Sequence, residues 1–291
     1  MKVAIMTDSN SGITQKEAQE LGIFVLPMPF TINGEEYKED INLTQEQFYD
    51  MLMNDAEVFT SQPAAGEVTH FFDTILKEYD QIVHIPMSSG LSGSCQTALM
   101  LASEEEYQGK VYVVDSQRIS VTQKCDVYDA IALAKQGKSA KEIYDILMNN
   151  KMNATIYITV NTLEYLKKGG RVTPAAAALG GLLKIKPILT IQGEKLDSFQ
   201  KTRTMIKARQ IMIDAVIKDI KERIDTDDQF THTRIMIAYT YDKDQALDFK
   251  KQVEEAFPHH EVICDPLSLS VACHIGPHSL AIAACKKIIE S

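Results

Sequence analysis

The first half of the chain alternates short apolar strands with amphipathic helices, and this alternation limits the fold more than any other feature. Strands that are separated by helices run parallel, and the helices cover both faces of the sheet. Ligands of such sheets bind beyond the carboxyl ends of the strands. The predicted strands cover residues 2–7, 81–86 and 110–114, and the predicted helices cover 14–21, 44–54, 66–79, 93–106, 121–135 and 139–149.

Residues 23–30 also have an extended pattern, but Pro27 and Pro29 make this strand irregular or place it at a sheet edge. Asn33-Gly34 predicts a hairpin turn shortly after it. Polar clusters follow three of the predicted strands, at 8–9, 88–94 and 115–116. We therefore expect a polar site along one edge of the first sheet.

The second half of the chain mixes a hairpin with crossover connections, which predicts a mixed sheet and a second domain. We place the boundary near residue 150, with one domain at 1–150 and the other at 151–291. The predicted strands are 154–160, 187–191, 234–240 and 260–264, with a polar turn at 167–171, an alanine-rich segment at 174–183, a turn at 192–195, and helices at 204–224 and 244–257.

Composition excludes several classes of protein. With 30 basic and 40 acidic residues the net charge is −10, which opposes binding to nucleic acids. No apolar run approaches the roughly 20 residues that span a bilayer, and the apolar run at the start is too short for a signal peptide. The five cysteines are dispersed without a CxxC pair, so we expect free thiols in a reducing cytoplasm and no metal site.

The serine-rich segment 88–94 is the strongest local signal for a ligand site. It follows a predicted strand, precedes a predicted helix, and reads Ser-Ser-Gly-Leu-Ser-Gly-Ser. Backbone N–H groups at a helix start, together with hydroxyls, form an anion site. The segment lacks the GK[ST] of a P-loop, and Ser94 replaces the last glycine of a GxSxG nucleophile elbow. The alternative is a helix N-cap that binds no ligand.

Four further features of the sequence allow both a functional and a structural interpretation. Residues 60–63 (Thr-Ser-Gln-Pro) supply hydroxyls to an anion or only cap a helix. His274 precedes a Gly-Pro turn and either contacts a carboxylate or is structural. The basic residues at 167–171 form a site or a solvated turn. Twelve methionines and the alanine-rich segment line a cavity or pack as ordinary core.

The ordered set of these motifs resembles the DegV family of bacterial fatty-acid-binding proteins. The matching segments extend over nearly the whole chain: 3–9, 60–63, 88–93, 114–116, 163–171, 186–189, Arg203 and 274–277. The resemblance implies an α/β fold of two domains. The N-terminal domain is expected to have three layers, α/β/α, around a parallel sheet, and the C-terminal domain two layers with a mixed sheet.

The resemblance further implies that one long-chain fatty acid, such as palmitate, lies between the two domains, without a cofactor or a metal. Thr60 and Ser92 are expected to hold its carboxylate. The full set of implied ligand-binding residues is Thr60, Ser92, Ser61, Gly93, His274 and Arg203. Within this set, His274 lies near the carboxylate, and Arg203 is a basic position close to the head group.

Some members of the family are the fatty-acid-binding subunit of fatty acid kinase, in phospholipid metabolism. They present the carboxylate to an ATP-binding, dihydroxyacetone-kinase-like subunit. The expectation for this chain is therefore a cytoplasmic carrier that is not itself an enzyme, with a peripheral membrane contact allowed. The alternative is an esterase or lipase with Ser92 as nucleophile and His274 as base, oriented by Asp8 or Asp115.

The chain departs from the family at 276–278, where Gly-Pro-Gly is usual and Gly-Pro-His is present. Glycine supplies backbone conformations with positive φ. We therefore expect His278 to occupy a position that needs an unusual φ, close to His274.

Overall fold

The computed structural model describes residues 2–179 and 185–288. The strands are β1 (Val3–Asp8), β2 (Phe24–Leu26), β3 (Pro29–Ile32), β4 (Glu35–Lys38), β5 (Val58–Thr60), β6 (Gln81–Ile85), β7 (Val111–Val113), β8 (Ala154–Thr159), β9 (Lys186–Ile191), β10 (Asp197–Thr202), β11 (Thr233–Tyr239), β12 (Val262–Pro266) and β13 (Leu280–Lys286). The helices are α1 (Gln15–Leu21), α2 (Gln45–Met53), α3 (Ala65–Leu76), α4 (Ser94–Ala102), α5 (Val121–Lys135), α6 (Ala140–Asn150), α7 (Glu164–Gly169), α8 (Pro174–Ala178), α9 (Met205–Asp219), α10 (Lys243–Ala256) and α11 (Leu269–Ile275).

The first sheet has four parallel strands in the order β2-β1-β6-β7. Alternate residues of its strands face opposite sides. On one side Ile5 and Val83 pack with Leu147 of α6, and on the other side Met6 packs with Phe72 of α3. Helices therefore cover both faces, which confirms the predicted three-layer α/β/α part.

The second sheet is mixed and has the order β10-β9-β8-β13-β11-β12. Helices α9 and α10 cover one face, where Met212 and Phe249 pack with Ile237 and Ile282. The other face, which includes Ile158 and Ala281, belongs to a core cluster that also contains Cys125 of α5. The predicted two-layer part with a mixed sheet is thereby confirmed.

One predicted strand is divided between two sheets. Residues 23–30 form β2 in the first sheet and part of β3 in a separate antiparallel sheet of order β4-β3-β5, which the sequence did not predict. The chain leaves the first sheet at Pro27, which has no N–H to donate. The hairpin at Asn33-Gly34 is confirmed, with φ of 52° and 86° at these two residues.

Other boundaries also differ from the predictions. The predicted polar turn at 167–171 is wrong, because Lys167 and Lys168 belong to α7, which ends where Gly170 has a φ of 68°. The predicted helix 204–224 is α9 followed by a π-helical turn, Ile220–Ile224. Helix α11 and strand β13 were not predicted. Part of the alanine-rich segment, 180–183, lies outside the described residues.

Helix α5 packs against strands of both large sheets and carries three buried charged residues, two of which pair with the second half of the chain. Asp126 pairs with Arg118 at 2.6 Å, Asp129 pairs with Arg234 at 2.7 Å, and Lys124 pairs with Asp265 at 2.8 Å. The pairs with Arg234 and Asp265 join α5 to strands β11 and β12 of the second sheet. The domain boundary near residue 150 stays a prediction.

Candidate functional site

A cavity of about 220 Å³ lies between the two large sheets. Most of its wall is apolar, and both halves of the chain contribute to it. The apolar lining residues are Met28, Met87, Leu91, Ile119, Val121, Ile156, Ile158, Leu166, Ile191, Leu196, Ala238, Leu267, Val271, Ile275 and Ala281. A cavity of this character accepts the apolar part of a ligand.

Polar residues from four segments lie together at one part of this cavity. We call this part the head-group end and define it by Thr60, Ser92 and His274. The other polar residues that line it are Ser61, Gln62, Gly93 and Arg171. Ser61, Gln62 and Gly93 are exposed, so this end opens to solvent. The structure thus brings together five of the six predicted ligand-binding residues.

His274 and Thr60 are in direct contact. Thr60 is the last residue of β5, His274 is in the last turn of α11, and Thr60 Oγ1 lies 2.7 Å from His274 Nε2. Burial, and secondarily the positive charge of Arg171, lowers the pKa of His274 to about 4. The imidazole is therefore neutral at pH 7, and it can donate one hydrogen bond and accept another.

Two glycines allow α7 and α11 to approach each other around His274. A Cβ on Gly169 would overlap the His274 ring, and a Cβ on Gly276 would overlap the Tyr165 ring. Gly276 also has a φ of 74°, which favours glycine. The sequence indicated the Gly-Pro turn, but nothing in it indicated that Gly169 is needed for the placement of the histidine.

The first residues of the serine-rich loop contact the second sheet, whereas the later residues line the cavity. Ser88 donates its hydroxyl to the Gly193 carbonyl, and Gly90 has no room for a Cβ against the same hairpin. Further along, Ser92 Oγ accepts the Ser94 N–H at 3.2 Å. The first part of the loop therefore attaches to the second sheet, while Ser92 and Gly93 line the cavity.

The two predicted arginine positions differ in their placement. Arg171, which the sequence placed only in a basic turn, lines the cavity and donates to the carbonyls of Leu91 and Gly169, at 3.2 and 2.6 Å. Arg203 follows β10, is exposed and does not line the cavity. A role for Arg203 close to the head group stays a prediction.

The esterase hypothesis requires a carboxylate that orients His274, and among the described residues none bonds to this histidine. Asp8 instead accepts the N–H of Met87 at 2.8 Å, and burial raises its pKa to about 6. Asp115 accepts the hydroxyl of Ser89 at 2.6 Å. The catalytic triad is therefore not assembled in this structure.

Three buried polar residues that the sequence did not single out also line the cavity. We call Asn10, Ser120 and Ser270 the inner cluster. They come from the 3-10 turn after β1, from the residue before α5, and from the first turn of α11. Each lies at or near a helix start, where polar residues are common, so nothing in the sequence marked them as ligand-binding residues.

His278 has a φ of 59°, which confirms the expectation of an unusual backbone conformation at this position. Its ring packs edge-on against Tyr241 at a centroid distance of 4.9 Å, and its Nδ1 lies 3.7 Å from Asp242. These contacts hold the residue that replaces the usual glycine.

Among residues 2–179 and 185–288, no group of three or more His, Cys, Asp or Glu side chains is arranged to hold a metal ion. The helices of the same residues include none with the length and apolar character that crossing a bilayer requires.

The fold and the cavity together assign the chain to a class: two-domain α/β proteins that enclose an apolar cavity with a polar opening. A sequence profile of a family described as "Uncharacterised protein, DegV family" matches residues 2–287. The chain belongs to the DegV family.

Relatives agree with this assignment over their whole length. A DegV domain-containing protein of Clostridium perfringens is 31% identical over 287 residues, which are 97% of this chain and 98% of the relative. The structure of a DegV family protein from Thermus thermophilus, whose description mentions fatty acid binding, matches with a TM-score of 0.88 at 28% sequence identity. The match covers 98% of this chain and 100% of the Thermus chain. DegV from Bacillus subtilis, described as a fatty acid binding protein, has a TM-score of 0.84 at 27% identity, with 99% and 100% covered.

Proposed function

We propose that this protein binds one long-chain fatty acid, such as palmitate, and presents its carboxylate to an ATP-dependent kinase partner. The observation that carries the proposal is the cavity itself: apolar along its walls, and polar where Thr60, Ser92 and His274 meet solvent. Two solved DegV proteins that resemble this chain are described as fatty-acid-binding proteins, which supports the same ligand class.

The hydroxyls at the head-group end suit a carboxylate. Because Ser92 Oγ accepts the Ser94 N–H, its own proton is free to donate to the ligand. His274 is neutral, and when its Nε2 carries the proton it donates to Thr60 Oγ1, which frees the Thr60 hydroxyl to donate as well. A bound carboxylate selects this tautomer, so His274 positions Thr60. Ser61 and the Gly93 N–H are the next donors available.

The charge of the site also favours an anion. Arg171 bonds only to backbone carbonyls, and among the described residues no carboxylate forms an ion pair with it. Its guanidinium lowers the pKa of His274, which shows that its field extends to the head-group end. A buried carboxylate is stabilised by such a cation and by hydrogen bonds, without which its burial would be very costly.

Acyl burial supplies enough free energy for tight and reversible binding. Each buried methylene contributes about 0.8 kcal/mol, so a chain with roughly 14 methylenes gains on the order of 11 kcal/mol. Association and ordering cost several kcal/mol of this gain.

The carrier role requires a second protein. The sequence has no P-loop and no kinase glycine-rich loop. Close to Thr60, Lys168 Nζ lies 5.0 Å from the ring centroid of Phe59, which is 52% exposed. Lys167 and the exposed Arg203 are further positive charges in an acidic chain. We propose that these residues contribute to the face that the kinase subunit contacts.

Ligand binding is tested by mass spectrometry of the purified protein. Masses measured under native and denaturing conditions should differ by one fatty acid of about 14 to 18 carbons, and protein freed of lipid should take up palmitate. Well-folded protein that shows neither result would refute the fatty-acid proposal. Hydrolysis of a chromogenic acyl ester that is lost in Ser92→Ala would favour the esterase instead.

The partner proposal is tested by reconstitution with ATP, palmitate and a bacterial ATP-binding kinase subunit, with acyl phosphate trapped by hydroxylamine. Product should require both proteins, and Arg203→Ala should lower the rate while palmitate binding is retained. Lys218→Ala, at the opposite end of α9 from Arg203, is the control and should keep the full rate. Acyl phosphate formed by this protein alone would refute the division of labour.

A further inference from the structure

The inner cluster is a second polar site in the wall of the cavity, apart from the head-group end. Asn10, Ser120 and Ser270 are 2%, 5% and 6% exposed. The Ser120 N–H donates to the Asn10 carbonyl at 3.0 Å, and the Ser270 hydroxyl donates to Asn10 Oδ1. Three segments that are distant in the sequence are thus joined at one place in an otherwise apolar wall.

Several hydrogen-bonding groups of the inner cluster are not fully paired with other groups of the protein. The Ser120 hydroxyl lines the cavity and makes no capping hydrogen bond to the first turn of α5. The Asn10 amide donates to the thioether sulfur of Met87, which is a weak acceptor. The Ser268 and Ser270 hydroxyls donate to Asn10 and retain their lone pairs.

The backbone at Ser120 is also unusual. Its φ of 56° and ψ of −135° lie in a region that favours glycine, and no side chain caps the N-terminus of α5 that begins at the next residue. Residues held in such conformations are unfavourable for the backbone and cluster at ligand sites. A serine in this place adds a hydroxyl to the cavity wall, whereas a glycine would fit the backbone better.

An unsubstituted acyl chain would cover these groups without pairing them. Leaving buried polar groups unpaired is unfavourable, and a site that can hydrogen-bond a ligand hydroxyl disfavours the analogue that lacks it. We infer that the cavity is built for a long-chain fatty acid that carries a hydroxyl in the interior of its chain, with this hydroxyl bonded to the inner cluster. The inference rests on the proposed function, because it assumes that the carboxylate lies at the head-group end.

Helix α11 indicates where along the acyl chain this hydroxyl belongs. Ser270 and His274 lie one turn apart, which is about 6 Å along the helix axis. An extended polypeptide advances about 3.3–3.6 Å per residue, that is, over three backbone bonds. An extended acyl chain therefore advances about 1.2 Å per bond. A distance of about 6 Å corresponds to about five bonds, so the hydroxyl is expected on roughly carbon 6 or carbon 7, counted from the carboxylate.

The test is a competition monitored by native mass spectrometry with the full chain freed of lipid. Stearic acid competes at equal concentration with octadecanoic acids that carry a hydroxyl at carbon 3, 7, 10 or 18. The wild type should prefer the 7-hydroxy acid over stearic acid by about fivefold or more, and it should show no such preference for the 3-, 10- or 18-hydroxy acid.

The variant Ser120→Gly removes the hydroxyl and suits the backbone, so it should fold at least as well as the wild type. This variant should abolish or reverse the preference for the hydroxy acid over stearic acid, since an unpaired hydroxyl is disfavoured in an apolar cavity. Ser270→Ala is a second variant and should reduce the preference in the same direction. Ser92→Ala is the control, and it should weaken both ligands by the same factor and keep their ratio.

The outcomes separate this inference from the proposed function. Tight binding of stearic acid without a preference for the mid-chain hydroxyl would overturn the inference and leave fatty-acid binding in place. A preference that persists in Ser120→Gly and Ser270→Ala would also overturn it. Failure of every acid to bind would overturn both.

Discussion

The head-group end and the inner cluster line the same cavity, but the first opens to solvent and the second is almost fully buried. At the head-group end, one contact joins Thr60 to a neutral His274, and a cation lies nearby. The inner cluster consists of uncharged groups alone. A ligand meets the first region while it is still hydrated and the second only after its chain is buried. We therefore expect the first to govern affinity for every fatty acid and the second to govern the choice among them.

The largest effect is expected from Gly169→Ala, which places a methyl group against the His274 ring. Overpacking of this kind displaces side chains and backbone. Palmitate affinity should fall by about 100-fold or more, because a misplaced His274 no longer orients Thr60. Isothermal titration measures the loss, with Glu164→Ala on the same helix as a control that binds normally.

Adding His274→Ala to Gly169→Ala removes the overlap. The double variant should regain the melting temperature of His274→Ala without regaining palmitate affinity. Full palmitate affinity in Gly169→Ala would mean that the placement of His274 does not matter for the ligand.

A smaller effect is expected when one donor to the carboxylate is removed. Ser92→Ala and Thr60→Ala should each weaken palmitate by roughly 10- to 100-fold, since a hydrogen bond to a charged group contributes about 1.5–3 kcal/mol. Ser89→Ala is the matched control from the same loop, because Ser89 bonds to Asp115 and does not line the cavity. Unchanged affinity in both variants would locate the carboxylate elsewhere.

The protonation of His274 should make stability depend on pH, whereas the inner cluster has no titratable group. The unfolded histidine titrates near pH 6.5 and the folded one near pH 4, so the unfolded state binds the proton first. This contribution to stability is complete above pH 6.5 and is lost as the pH falls toward 4. Relative to His274→Gln, the wild type should lose about 1 kcal/mol of unfolding free energy between pH 7.5 and 5.5.

Urea unfolding at both pH values measures this difference. A constant difference between the wild type and His274→Gln across this range would show that the histidine is not held neutral by its surroundings.

The smallest effect is expected for palmitate in Ser270→Ala. Palmitate has no hydroxyl for the inner cluster, so its dissociation constant should change by less than about threefold. A loss beyond about tenfold, measured in the same titration, would place the carboxylate at the inner cluster and reverse the comparison between the two regions.

The first sheet was predictable because each of its long strands is a continuous apolar run that ends in polar residues, as at Asp8 after β1. The division of residues 23–30 between two sheets at Pro27 was not predictable, because the sequence pattern is that of one continuous extended segment. Strand β5 has three residues, and β13 is an apolar run without a period that distinguishes strand from helix. Pairing with distant strands determines both.

The head-group end was predictable in part. Hydroxyls before helices indicated Thr60 and Ser92, and the family resemblance connected them with His274. Arg171 was assigned to a turn, because the charges of 167–171 mask the apolar face with which α7 packs, including Leu166. The inner cluster was not predictable, since its hydrogen bonds join residues about 260 positions apart, as between Asn10 and Ser270.

Strand β13 lies between β8 and β11 and is antiparallel to both, although it follows them in the chain. During synthesis the second sheet therefore remains two separate ribbons until residues 280–286 arrive. At about 5–20 residues per second, Ser92 is made roughly 10 to 40 s before Ala281, which completes the cavity wall. The nascent chain thus carries the hydroxyls for the carboxylate long before it can shelter an acyl chain, and it is exposed to chaperones and proteases during that interval.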